Sequence, residues 1–171
     1  MSKVVLPTRS SVNIFTDDAD LKFFYENFLL YCESDRKYYG NFECLKSAAK
    51  AIEGSFDFVY KDYETKMETP VENVFYFSAE TEKQDSKRQN SAVAKKWFKH
   101  IRNSFAHNYI TIEDGQYVLQ DFFQEEKQPL RQVLYAKLTS LEEFKGLVAE
   151  IMHNIEECKI KKDSNNETPK H

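Results

Sequence analysis

Seven apolar residues, Phe42, Leu45, Ala49, Ile52, Phe56, Val59 and Tyr63, follow one another at alternating steps of three and four. That rhythm keeps one face of an α-helix apolar through six turns. It predicts a helix over 42–63, with Asn41 as its cap and Gly54 as a tolerated weak point. Two further stripes share the pattern. Leu21, Phe24, Phe28 and Tyr31 follow the acidic run Asp17, Asp18 and Asp20, which supplies a cap and favourable charge at a helix start. Leu141, Phe144, Val148, Ile151, Ile155 and Cys158 follow Ser140-Leu141-Glu142-Glu143, the Ser-x-x-Glu form of a capping box.

Punctuation is sparse: four glycines and four prolines in 171 residues are too few for a turn-rich all-β chain. Hydrophobic residues at 41% and charged residues at 30% describe a globular domain, and 15% aromatic residues point to an aromatic core or an aromatic-lined interface. No apolar run approaches the length of a membrane span and no signal peptide is visible, so a cytoplasmic protein without membrane partners is expected. Cys32, Cys44 and Cys158 lie in helical patterns without metal-ligand spacing and read as reduced, buried thiols. Residues 1–16 are expected to form a partly ordered arm, 17–160 one helical domain, and 161–171 a polar tail.

A fourth helix is expected from Lys87 to Ala106. It carries Ala94, Phe98, Ile101 and Phe105 as an apolar stripe, with Trp97 at the edge. Lys95, Lys99 and Arg102 form one flank; Lys96, His100, Asn103 and His107 form the other. Beyond it, Tyr109–Ile112 and Gln116–Leu119 flank Asp114-Gly115 as a β-hairpin, and 133–138 adds a third strand. Residues 64–85 are left unassigned. The sum is a mainly α chain: a four-helix bundle with a small antiparallel insertion before the last helix.

The net charge of −4 speaks against general nucleic-acid affinity, but the distribution is uneven. Between Ser86 and Ile112 there is no Asp or Glu, while Lys87, Arg88, Lys95, Lys96, Lys99 and Arg102 all fall there. Inside this basic stretch, Arg102 and His107 suit RNA cleavage by internal transfer. A histidine takes the 2′-hydroxyl proton or gives one to the leaving 5′-oxygen. An arginine binds the phosphate and stabilises the charge that builds on it. This route needs no cofactor or metal. The arginine and histidine point about 140° apart on a continuous helix, so convergence requires either an unwound helix end or a second chain.

The string Ile101-Arg102-Asn103-Ser104-Phe105-Ala106-His107 resembles the signature of the HEPN superfamily (higher eukaryotes and prokaryotes nucleotide-binding), and the expected order of helices matches that family too. The resemblance implies a metal-independent endoribonuclease acting as a homodimer, with a composite site at the dimer cleft and RNA as substrate. It also implies abortive-infection, toxin–antitoxin or phage-defence settings, with an antitoxin or another regulatory protein as partner. Carried over, Arg102 binds the scissile phosphate, His107 is the general acid/base, and Asn103 orients the site. Lys95, Lys96, Lys99 and His100 lie outside the motif, and the helical wheel alone makes them an extension of the phosphate surface. Asn108, after the histidine, departs from the small residue common there. The alternative is a HEPN-type module without activity, serving dimerisation, nucleotide binding or protein interaction, or an adaptor docking an acidic partner. Among the remaining candidates, His153 reads as a structural histidine, and Tyr38, Tyr39, Tyr60 and Tyr63 as core aromatics.

Overall fold

A computed structural model describes residues 18–29, 50, 52–62, 71–87 and 95–166. Its centre is a five-stranded sheet, so the expected four-helix bundle with a minor β insertion is corrected to a mixed α/β fold. In chain order the elements are α1 (Ala19–Phe24), continued by a π-helical turn over Tyr25–Leu29, then β1 (Asp57–Lys61) and β2 (Val74–Ser78). There follow α2 (Ala79–Ser86), α3 (Lys96–Ala106), β3 (Ile110–Glu113), β4 (Gln116–Phe123), β5 (Arg131–Leu138) and α4 (Glu142–Asn166). The strand order is β1-β2-β5-β4-β3, with β1 and β2 parallel and every other pair antiparallel.

The correction starts inside the longest apolar stripe. Residues 52–55 are helical, but the chain bends at Phe56 and runs on as β1. Phe56, Phe58 and Tyr60 alternate toward the core in steps of two, and Phe58-Val59-Tyr60 is a β-branched and aromatic run that suits a pleated strand. The part of the stripe before Lys50 lies outside the described residues. The unassigned segment supplies β2, whose Phe75 and Phe77 are fully buried, and α2, capped by Ser78. The basic helix starts at Lys96, not Lys87, with extended Lys95 as its N-cap.

Other local readings hold. Asp18 caps α1, its Oδ1 accepting from the backbone of Asp20 and Leu21 at 2.9 Å. Asp114-Gly115 makes the two-residue hairpin turn, both residues at positive φ (52° and 77°), with Glu113 paired to Gln116. Ser140 Oγ accepts from Glu142 N at the start of α4, a cap one residue short of the Ser-x-x-Glu box. That helix continues to Asn166, past the end of its apolar stripe. Cys158 is disulfide-bonded, which corrects the expectation of reduced thiols throughout; its partner lies outside the described residues. The expected arm over 1–16 and the last five residues also lie outside them.

The described helices pack on the sheet face that carries Phe75, Phe77, Leu119 and Leu134, around an aromatic core. Phe24 stacks on Phe105 and Phe144 at 4.9 and 5.1 Å between ring centres, and Phe58 meets Trp97 edge-on at 5.2 Å. Burial of this kind is the main driving force of the fold, at about 25 cal/mol per Å² of apolar surface. The consequence for function is the position of α3, whose apolar stripe of Phe98, Ile101 and Phe105 faces the core. Its polar flank is thereby laid along β4.

Candidate active site

Two carboxylates fix α3. At its start, Asp85 of α2 accepts from Lys96 N at 2.5 Å and from Trp97 N at 3.2 Å, filling the helix's anion-binding end with the chain's own side chain. At its other end, Asp121 of β4 lies 1% exposed beneath the flank formed by His100, Asn103 and His107. These three are spaced i, i+3 and i+7 and so stack on one face. His100 Nδ1 is 2.7 Å from Asp121 Oδ2, and Asn103 Nδ2 donates to the same oxygen at 3.2 Å. His107 Nδ1 stands 4.0 Å from the other oxygen, Oδ1. Oδ1 is buried and accepts no hydrogen bond among the described residues.

Arg102 joins this chain of contacts through its neighbour, its Nη2 donating to Asn103 Oδ1 at 2.7 Å. The arginine and the histidine that a helical wheel sets about 140° apart are therefore linked within one chain, through Asn103 and Asp121. The helix end contributes. His107 is its C-cap, with φ −94° and ψ 1°, and Asn108 turns left-handed at φ 54°. Asn108 N donates to Phe105 O and Tyr109 N to Ser104 O, closing the helix with the paired bonds typical of a left-handed stop. Asparagine accepts that backbone more readily than most residues, which gives Asn108 a structural reason. The exposed His107 ring meets Tyr109 edge-on at 5.6 Å, and Tyr109 in turn meets Phe122 at 5.3 Å.

The outlying cations divide. Lys95 is held by Glu53 at 3.0 Å, and Glu53 also accepts from Trp97 Nε1, so this lysine is committed to the fold. Lys96 is half-buried and Lys99 exposed on the outer surface of α3. His153 sits exposed on α4, 3.5 Å from Glu157, rather than in a structural setting, and Tyr60 packs on Phe77. Among the described residues no three His, Cys, Asp or Glu side chains are grouped to hold a metal ion. None of their helices is long and apolar enough to cross a membrane.

Sequence reading missed Asp121. Its signal is a carboxylate within the apolar strand run Val118-Leu119-Gln120-Asp121-Phe122, where burial demands a partner, opposite a helix flank carrying two histidines and an asparagine. No family model matches the chain, and no curated protein or solved structure matches it either.

Proposed function

We propose that this protein is a metal-independent endoribonuclease that cleaves RNA by attack of the ribose 2′-hydroxyl on the adjacent phosphate. The observation that carries the reading is the convergence of His100, Asn103 and His107 on buried Asp121, with Arg102 tied to the same cluster on a basic helix. His107, 53% exposed and at the open end of that cluster, is the proton-transfer group, and Arg102 binds the phosphate and the charge it gains. Asn103 orients the guanidinium. Lys99 and Lys96 extend the surface along the RNA backbone. The resemblance to HEPN nucleases supports this through the Arg102-to-His107 motif alone, since the bundle it implies is replaced by a sheet. A composite dimer site was motivated by the diverging arginine and histidine. Their indirect link through Asn103 and Asp121 supports a site built within one chain.

The test is cleavage of several RNA classes by purified protein in excess EDTA, with end-group analysis of the products. Wild type should leave 2′,3′-cyclic phosphate and 5′-hydroxyl ends. His107→Ala should lose roughly 10²–10⁴-fold in rate, and Arg102→Ala roughly 10²–10³-fold. Equal background from wild type and both variants would instead make the fold a binding module, and its partner the next question.

A further inference from the structure

We infer that Asp121 makes His100 a second proton-transfer residue, the general base of the reaction, leaving His107 as the general acid. The inference rests on the nuclease reading above and extends it from one histidine to a pair. Internal transfer moves two protons. One leaves the 2′-hydroxyl as its oxygen bonds to phosphorus; another reaches the 5′-oxygen as its bond to phosphorus breaks. A single imidazole does not serve both sides of an in-line displacement at once, whereas two imidazoles on one helix face can.

The contacts assign the roles. A carboxylate only accepts, so the 2.7 Å contact to Asp121 Oδ2 puts the proton of neutral His100 on Nδ1 and leaves Nε2 as the basic nitrogen. When Nε2 takes up the substrate's proton, the positive ring forms directly against the buried carboxylate, which is the orienting arrangement of a base held by an aspartate. Asn103, donating to the same oxygen, fixes the rotation of that carboxylate. His100 is recessed, its side chain 13% exposed, while His107 is half exposed and so placed to follow a departing oxygen. Asp121 Oδ1, which accepts no hydrogen bond among the described residues, faces His107 Nδ1 at 4.0 Å. An approach of about 1 Å would bring them to bonding distance and turn the Nε2 of His107 outward. Asp121 is thus a positioning residue, acting through both rings.

The experiment compares wild type, His100→Gln, His100→Ala, His107→Gln and Asp121→Asn, in EDTA, on RNA and on a ribonucleoside 3′-(p-nitrophenyl phosphate). The nitrophenolate leaves without being protonated, so only the base is needed. His107→Gln should lose roughly 10²–10⁴-fold on RNA and recover close to the wild-type rate on the ester. His100→Gln should lose a similar factor on both substrates, and Asp121→Asn should follow it in kcat, with KM changed by less than about threefold. Added imidazole should partly restore His100→Ala on the ester, which a merely structural role would not allow; thermal unfolding reports whether each variant folds. Wild-type kcat in His100→Gln, or recovery on the ester by that variant instead of His107→Gln, overturns the assignment while the nuclease reading stands on His107. An inactive wild type overturns both.

Discussion

Asp85 and Asp121 are both buried against α3, one at each end, yet they are used differently. Each oxygen of Asp85 takes a backbone N–H, from Lys96 and Trp97, so its bonds are spent on starting the helix. Asp121 puts two side chains on one oxygen and, among the described residues, leaves the other unbonded, opposite an exposed imidazole. A buried carboxylate is costly unless satisfied, and the one bonded to backbone at both oxygens serves the fold. The other keeps room for a further donor at its second oxygen, which fits the positioning role proposed for it beside His107.

If that contrast is right, mutations at the two ends should separate stability from activity. The largest stability effect is expected where Asp85 meets the core. Trp97 is fully buried and also donates its indole N–H to Glu53. Trp97→Ala should cost about 3–5 kcal/mol in denaturant unfolding. Asp85→Ala should cost about 1–2 kcal/mol, the usual effect of a lost helix cap, and at a temperature where the variant is folded its RNA cleavage should stay within a few-fold of wild type. Asp121→Asn should invert the pattern, with cleavage largely gone and stability changed by no more than about 1 kcal/mol. Equal destabilisation by Asp85→Ala and Asp121→Asn would erase the distinction.

The same contrast explains what could be read from the chain. Features set by neighbours in sequence were legible: the Asp18 cap, the Asp114-Gly115 turn, the Ser140 cap and the apolar face of the motif helix. So were Arg102, Asn103 and His107 as chemical candidates. The sheet was not, because Phe56 and Val59 satisfy a helical rhythm while Phe56, Phe58 and Tyr60 satisfy a strand's. A short aromatic run fits both, and only pairing with β2 decides. Asp121 was out of reach for a related reason. Its meaning depends on a contact across 21 residues to His100, and the separation says nothing of which strand lies beneath which helix face.

Asp18 offers a third buried-edge carboxylate and the smallest effect. Its Oδ1 caps α1, and its Oδ2 accepts from Tyr117 Oη, which also reaches Asp20. Like Asp85 it is bonded at both oxygens, so changes here should appear in stability and not in cleavage. Burial, then the charge of Asp18 and its hydrogen bond, then Asp20, hold the Tyr117 phenol well above its ordinary value of 10.0. Below that value the phenol is protonated in both folded and unfolded chains, and the interaction contributes in full. As pH rises through it, the unfolded chain ionises first and is favoured, so folding stability falls. Tyr60 and Tyr135, also raised chiefly by burial, add to the same alkaline loss. Tyr117→Phe should lower stability at neutral pH by about 0.5–1.5 kcal/mol and flatten the fall above pH 10, measured as Tm between pH 8 and pH 11. A variant whose Tm fell as steeply as wild type would show that Asp18 and Asp20 do not hold the phenol. The contrast between carboxylates bonded at both oxygens and Asp121 would then rest on Asp85 alone.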